Sequence, residues 1–253
     1  MGKNRLKTVT AGQLVYAVCY SQATAADEHH ERQAKAKMSS AARQLLNFRA
    51  AWQRLELILA ANFGRRDLFV TLTYDNDHLP KDRKAAQREL GKFWRALRQQ
   101  MARRGGELRY VYTTEEMPDE PGGERRLHHH AVVSCRARDA ETLQALWGRG
   151  YVHAEELLDG PNDSYEARAR YLIKERHPGA YGRKTGLRGW SSSKNLRKPE
   201  VTSVVVPDTV TITPPPGAYV LDRRGEANSF GSYTYLKYLL PEPKRKRKRR
   251  DNP

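Results

Sequence analysis

Apolar positions recur at helical spacing in two long segments of the chain. Between about residues 27 and 62 an apolar residue returns every three or four positions, at Leu45, Phe48, Trp52, Leu55 and Leu59. The same spacing runs through residues 81–104 and stops at Gly105-Gly106. Such a repeat covers one side of a helix. We therefore predict one long helix or two shorter ones over 27–62, and one helix over 81–104.

Runs rich in β-branched and aromatic residues lie around and beyond the second of these helices. They predict strands at 67–74, 107–115, 126–135 and 150–157, with short helices near 139–147 and 164–176. Two of the strands follow one another as a hairpin, which a doubly wound parallel sheet does not contain. The pattern therefore predicts an α+β fold, with a central antiparallel sheet flanked by helices.

The charge balance points to a polyanionic partner. The chain has 46 Lys and Arg against 29 Asp and Glu, a net charge of +17, and the run at 244–250 carries only seven of the positive charges. A protein this basic most often binds nucleic acid. No apolar run is long enough for a transmembrane helix, the N-terminus does not resemble a secretion signal, and two cysteines make no disulfide framework. We expect a cytoplasmic protein without membrane contact.

Three consecutive histidines, 128–130, lie in a predicted strand. Because successive side chains of a strand alternate between faces, His128 and His130 point to one side and His129 to the other. Two imidazoles on one face can hold a divalent cation, although isolated pairs of this kind are often plain surface or core histidines. The preceding strand ends in Glu115-Glu116, and the pairing register decides which carboxylate joins them. We favour Glu115.

A tyrosine and a lysine follow on the last predicted helix of this region. Tyr171 and Lys174 are three positions apart, so the phenol and the ammonium share a helix face. A tyrosine in mid-helix is usually a packing residue. Near a metal site on a basic protein, however, Tyr171 is a candidate nucleophile, and Lys174 is suited to favour its phenolate or to hold a phosphate.

Taken together, FVTLTY (69–74), HHH (128–130) and YLIK (171–174) resemble the three motifs of rolling-circle replication initiators. These proteins belong to the HUH endonuclease superfamily, whose fold is similar to that of ferredoxin-like and RNA-recognition domains. The segment RGWSSSKNLRKP (188–199) looks like the region after the tyrosine in phage-type replication-associated proteins. One departure is the middle histidine, where the family pattern has a hydrophobic residue.

The resemblance implies a single-tyrosine enzyme of a bacteriophage or plasmid type. Tyr171 would attack a phosphate of single-stranded origin DNA, leaving a 5′-phosphotyrosyl link and a free 3′-hydroxyl. Glu115, His128 and His130 would hold Mg²⁺ or Mn²⁺, although three N/N/O ligands would also accept zinc. Six basic residues of the glycine- and serine-rich segment are the predicted DNA contacts: Arg183, Lys184, Arg188, Lys194, Arg197 and Lys198.

Other proteins would have to complete such a reaction. A helicase needs a phosphate-binding loop, and the nearest pattern, Gly179 to Thr185, places Arg183 between the glycine and Lys184. We therefore expect a host helicase and polymerase as partners in a bacterial cell. The apolar stripe of residues 41–63 could pair two copies of the chain, or pack on its own domain.

The resulting division has four parts. We predict an N-terminal helical extension (1–64), an HUH catalytic domain (65–178), a basic C-terminal extension (179–243) ending in a helix near 228–240, and a disordered basic tail (244–253). Two alternatives stay open. One is an HUH transposase. The other is a DNA- or RNA-binding protein without catalysis, stacking bases on the strand aromatics Phe69, Tyr74, Tyr110 and Tyr112.

Overall fold

The computed structural model describes residues 3–21, 40–116, 126–160, 162–174, 189–228 and 231–242. These residues form an α+β protein with two antiparallel sheets, which confirms the predicted fold class. The chain divides into two compact units. The terminal unit contains Met1–Thr24 and Glu200–Pro253, and the central unit contains Ala25–Pro199. None of the described helices combines the length and apolar character needed to cross a membrane.

The central unit contains a five-stranded sheet and its helices. The strands are β3 (Leu68–Leu72), β4 (Tyr110–Glu115), β5 (His128–Val133), β6 (Val152–Glu156) and β7 (Ser191–Ser192), in the order β6-β3-β5-β4-β7. The helices are α1 (Ser40–Asn62), α2 (Arg83–Arg103), α3 (Ala140–Trp147) and α4 (Glu166–Leu172), with a short 3₁₀ turn at Ala137–Asp139. The predicted elements from residue 67 to 176 are all present, within a few residues of their expected ends.

The main core of the central unit fills one face of this sheet. Residues of β3 and β5, including Val70 and Ala131, pack with Phe93 and Leu97 of α2 and with Trp147 of α3. The apolar stripe of α2 is therefore buried as its spacing predicts. Helices α1 and α4 contact each other, and α4 lies over the opposite face of the sheet.

The amphipathic stripe of α1 is only partly used by its own unit. Trp52, Leu55 and Leu59 are buried, whereas Leu45 and Leu46 near the start of the helix are about half exposed. The second half of the stripe thus packs within the central unit. Pairing of two copies through the first half stays a prediction.

The terminal unit joins the two ends of the chain in a second sheet. Its strands are β1 (Lys3–Ala11), β2 (Leu14–Ser21), β8 (Glu200–Pro207), β9 (Tyr219–Asn228) and β10 (Gly231–Leu239), in the order β8-β1-β2-β10-β9. Alternate residues of these strands form a small core on one face, around Ala17 and Leu236.

Two expectations for the chain ends need correction. The N-terminal extension, predicted to be helical, begins with the β1–β2 hairpin, and the helix predicted near 228–240 is strand β10. The sequence of β10 alternates in period two, with Thr234, Leu236 and Tyr238 on the core face. This alternation, rather than helical spacing, places Leu236 and Tyr238 in the small core. The chain ends also share one unit instead of forming separate extensions.

Candidate active site

Strand register brings three ionisable residues to one face of the central sheet. Glu115 of β4 lies directly opposite His128 of β5, and His130 lies opposite both Thr113 of β4 and Thr71 of β3. Opposite residues of paired strands point to the same face, so Glu115, His128 and His130 are neighbours. The register therefore selects Glu115 rather than Glu116, which follows the end of the strand.

The three side chains form a compact buried cluster. Oε2 of Glu115 lies 3.4 Å from Nε2 of His128 and 3.5 Å from Nε2 of His130. Glu115 has no exposed surface, and both histidines are buried. Burial opposes ionisation of the carboxyl group, but contacts with His128, His130 and the charge of Lys174 outweigh it and lower the pKa of Glu115 to about 2. Glu115 is therefore a carboxylate at neutral pH.

Both histidine rings are held by their Nδ1 atoms. Nδ1 of His128 donates to the carbonyl oxygen of Arg126 at 3.2 Å, and Nδ1 of His130 lies 3.0 Å from Oγ1 of Thr71. Such contacts fix the ring orientation and direct Nε2 toward the centre of the cluster. Burial lowers the pKa of His130, only partly offset by Glu115, so the neutral ring that a metal requires is favoured.

The cluster fits the requirements of a divalent cation. Its potential ligand atoms all lie within 4.8 Å of one another. Two ligands bound to one ion at about 2.1 Å are typically about 3.0–3.5 Å apart, which matches both Glu115–histidine distances. Oε1 of Glu115 is fully buried, and no described residue forms a hydrogen bond with it. A buried carboxylate oxygen in that state is costly unless a ligand satisfies it.

Tyr171 and Lys174 lie directly beside this cluster. The hydroxyl of Tyr171 is 3.3 Å from Nε2 of His130, and 41% of the tyrosine is exposed. Nζ of Lys174 is 3.9 Å from the centre of the Tyr171 ring and 2.9 Å from Oε2 of Glu115. Burial opposes protonation of Lys174, but its contacts with Tyr171 and Glu115 outweigh it and raise its pKa. The structure thus brings together all five residues that were predicted for catalysis and metal binding.

Tyr165, the residue before α4, is poorly suited to replace Tyr171 as the nucleophile. Tyr165 is buried, and its hydroxyl donates to the carbonyl oxygen of Phe63 at 2.5 Å. Burial raises its pKa to about 12. Tyr181, ten positions after Tyr171 in the sequence, lies outside the described residues. Among the described tyrosines of this region, Tyr171 alone combines exposure with contact to the cluster.

Phe69, Thr71 and Arg168 support the site but were not among the predicted site residues. Phe69 stacks on His130 with ring centres 5.8 Å apart, and it meets Tyr171 edge-on at the same separation. The guanidinium of Arg168 lies 4.7 Å above the Phe69 ring. Alternation along β3 places Phe69 and Thr71 on one face, so the sequence did contain a signal for them.

His129 points away from the cluster, as predicted, but it enters the core rather than solvent. It has no exposed surface. Oγ1 of Thr114 lies 2.9 Å from its Nδ1, the hydroxyl of Tyr74 lies 2.8 Å from its Nε2, and Trp147 meets the ring edge-on at 5.9 Å. Burial, with the nearby charges of His128, Arg83 and His130, lowers the pKa of His129 to about 3. The ring is therefore neutral at physiological pH.

Half of the predicted DNA contacts fall on described residues. Lys194, Arg197 and Lys198 are exposed. The backbone N–H of Arg197 donates to Oδ1 of Asn62 at 2.7 Å, and its carbonyl oxygen accepts from Nδ2 of Asn62 at 2.9 Å, which ties this segment to α1. Arg183, Lys184, Arg188 and the tail at 244–250 lie outside the described residues.

The aromatic platform of the non-catalytic alternative is not available on this sheet. Phe69, Tyr74 and Tyr110 are buried, and only Tyr112 is partly exposed. Tyr110 stacks on Trp94 of α2 with ring centres 4.2 Å apart, inside the core. Because stacking needs an exposed ring face, these strand aromatics do not form a surface for bases.

Comparison with known proteins adds one match. Residues 67–176 match the model of a family described as replication-associated protein ORF2/G2P. The matched segment begins one residue before β3 and ends two residues after Lys174, so it contains every residue of the cluster. Searches of curated proteins and of solved structures returned no match. The match of residues 67–176 to a replication-associated family agrees with the resemblance stated from the motifs.

Proposed function

We propose that this protein initiates rolling-circle DNA replication by nicking single-stranded origin DNA with Tyr171. The observation that carries the proposal is an exposed phenol within 3.3 Å of a buried Glu/His/His cluster, inside the segment that matches a replication-associated family. A structural tyrosine would be expected to bury its hydroxyl on a backbone partner, as Tyr165 does. The net charge of +17 suits a DNA substrate.

Glu115, His128 and His130 would hold one divalent cation, Mg²⁺ or Mn²⁺ in this family. When bound, such an ion polarises a phosphate oxygen and offsets the charge that develops during phosphoryl transfer. The hydrogen bonds from Nδ1 of both histidines keep the Nε2 atoms oriented for this role. Burial of Glu115 keeps water from competing for its oxygens.

Tyr171 would supply the nucleophile. Its phenolic oxygen attacks phosphorus, and the P–O bond to the 3′ oxygen breaks. The phenolic proton passes to solvent, to which Tyr171 is exposed, and the departing 3′ oxygen takes a proton from water. The products are a 5′-phosphotyrosyl link and a free 3′-hydroxyl that can prime synthesis. Lys174 remains protonated, because its pKa is raised, so it would act by stabilising the phenolate and the phosphate rather than by accepting the proton.

The remaining steps would belong to other proteins. We expect a host helicase to separate the strands and a host polymerase to extend the 3′ end, in the cytoplasm of a bacterial cell. The sequence between Gly179 and Thr185 does not satisfy the phosphate-loop pattern, which supports this division of labour.

The direct test is adduct formation on single-stranded DNA. The full chain is incubated with a single-stranded origin library and Mg²⁺ or Mn²⁺, and the protein is digested and analysed by mass spectrometry for a nucleotide on tyrosine. We expect the adduct on Tyr171 only with metal present. Tyr171→Phe should abolish the adduct while DNA binding stays nearly unchanged, because only one hydroxyl is removed. The matched control is Tyr151→Phe, at an exposed tyrosine of the same unit.

Two results would overturn the proposal. One is an adduct that persists in the Tyr171→Phe variant, which would move the nucleophile elsewhere. The other is full cleavage by variants that replace His128 or His130 with alanine, which would remove the cluster from the reaction.

A further inference from the structure

One face of the terminal unit's sheet combines cations with exposed tyrosines. Alternation along β1 places Lys3, Arg5 and Lys7 on the same face. The register then sets Arg5 opposite Tyr20 of β2, and Tyr20 opposite Tyr233 of β10. A row of three positive residues therefore runs beside a cross-strand pair of tyrosines.

This end of the face is open to solvent. Tyr20 is 36% exposed and Tyr233 is 43% exposed, and Lys3 and Lys7 are exposed as well. The opposite face of the same strands carries the small core around Ala17 and Leu236. The two tyrosines are therefore not needed to fill a core. They lie in the terminal unit, outside the segment that matches the replication-associated family.

The charges on this face are arranged asymmetrically. Lys3, Arg5 and Lys7 follow one another along this face of β1 without an acid among them. The edge strand β9 carries the acids Asp222 and Glu226 beside Arg224, and Glu226 lies directly opposite Tyr233. Asp222 is already paired with Arg224 at 2.6 Å. The β1 side is therefore the side that favours a chain of phosphates, and the tyrosines lie on β2 and β10, between β1 and β9.

We propose that Lys3, Arg5, Lys7, Tyr20 and Tyr233 form a binding surface for single-stranded DNA, separate from the candidate active site. Phosphates follow β1, and two bases stack on the tyrosine pair. The proposal rests on the proposed function in one respect, namely that the nucleic acid is DNA.

The geometry of the strands suits a single strand. Alternate residues of β1 are about 6.8 Å apart, so its cations form an extended line. Side chains directly opposite on paired strands have Cβ atoms about 5 Å apart, so Tyr20 and Tyr233 are close neighbours on this face. Stacking needs free base faces, which a duplex does not offer, and it tolerates any base.

The test measures binding without cleavage. Fluorescence anisotropy of a fluorescein-labelled oligothymidylate is followed with the full chain in EDTA, so metal-dependent nicking does not contribute. A variant carrying Tyr20→Ala and Tyr233→Ala should bind at least about 25-fold more weakly, since two stacked bases are lost and stacking contributes about five- to 150-fold per base. The variant with phenylalanine at both positions should bind as the unmodified protein does, because the ring faces remain.

A second variant tests the cations. Replacing Lys3, Arg5 and Lys7 with glutamine should reduce the slope of log K against log salt by about 2 units, at about 0.7 for each phosphate contact on a single strand. The matched control is Tyr219→Ala, which removes a tyrosine of similar exposure at the other end of the same sheet. It should leave both the affinity and the slope unchanged.

The outcomes separate this surface from the active site. Unchanged binding by the alanine pair, or equal loss in the Tyr219 control, would overturn the surface whatever the nicking assay gives. Weakened binding together with absent nicking would retain the surface and reject the proposed function. If the alanine pair alters the sedimentation of the protein but not its DNA binding, the tyrosines form a contact between copies and the proposal is wrong.

Discussion

Replacing His129 with glutamine should change how the stability of the central unit depends on pH. The ring is fully buried between Tyr74, Thr114 and Trp147, and its pKa is lowered from 6.5 to about 3. Glutamine fills a similar space and can keep one of the two hydrogen bonds, but it does not titrate. The variant therefore removes one proton-binding group that is buried in the folded state and accessible in the unfolded state.

The expected magnitude follows from the two pKa values. Above pH 6.5 the histidine is neutral in both the folded and the unfolded state, and its contribution to the free energy of unfolding is fully present. Below pH 6.5 the unfolded chain binds a proton that the folded chain excludes, so stability is lost at about 1.4 kcal/mol per pH unit until the folded pKa near 3 is reached. From pH 7 to pH 5 the loss due to His129 is about 2 kcal/mol.

The variant should start from a lower stability at pH 7. One of the two hydrogen bonds of His129, to Thr114 or to Tyr74, is lost, which costs about 1–3 kcal/mol. As the pH falls from 7 to 5, the unmodified protein loses the stability that neutral His129 contributes, and the variant, which lacks this group, does not. The difference in free energy of unfolding between the two proteins should therefore decrease by about 2 kcal/mol over this range.

Tryptophan fluorescence isolates the relevant unit. All four tryptophans of the chain, Trp52, Trp94, Trp147 and Trp190, lie in the central unit. Urea unfolding followed by this signal at pH 7, 6 and 5 gives the free energy of unfolding of that unit for each protein. His153→Gln is the matched control, since His153 is an exposed histidine on β6 of the same sheet. A difference in free energy of unfolding between wild type and His129→Gln that stays constant from pH 7 to pH 5 would refute the reasoning.

Three further predictions concern the metal cluster and the tail. Glu115→Gln should abolish Mn²⁺ binding measured by calorimetry while Glu116→Gln retains it; equal loss in both would mean that the β4–β5 register is wrong. The Lys174→Met variant should bind Mn²⁺ about tenfold more tightly, because about 1.4 kcal/mol of repulsion between the Lys174 ammonium and the bound cation is removed. The same variant should nick DNA more slowly. Weaker metal binding would contradict this prediction. Deleting residues 244–250 should lower the salt slope of single-strand binding by several units, at about 0.7 per lost phosphate contact, whereas an unchanged slope would leave the tail without contact to DNA.

Local patterns in the sequence were sufficient for most of the central unit. Helical spacing identified α1 and α2, and β-branched runs identified β3 to β6, because each element buries a face that its own residues define. The alternation of side chains along a strand was enough to separate His128 and His130 from His129. The spacing of Tyr171 and Lys174 predicted that the two side chains share one face of a helix, although α4 ends at Leu172, before Lys174.

Register and long-range pairing were decided only by the tertiary structure. Glu115 and Glu116 are equivalent in sequence, and pairing of β4 with β5 placed Glu115 opposite His128. Alternation predicted only that His129 points away from the metal cluster. The packing of α2 and α3 against the sheet buries it completely. Phe69 and Thr71 joined the site through the pairing of β3 with β5.

The terminal unit shows most clearly where prediction from local sequence patterns fails. Its sheet pairs β1 with β8 and β2 with β10, strands that are nearly two hundred residues or more apart in the chain. Each of these strands has only a weak alternation by itself, and β10 was predicted as a helix. The apolar face of one strand acquires a partner only when the other end of the chain reaches it. Local sequence defines the residues that can be buried, whereas the fold decides which distant strand buries them and which side chains, such as Tyr20 and Tyr233, are left facing solvent.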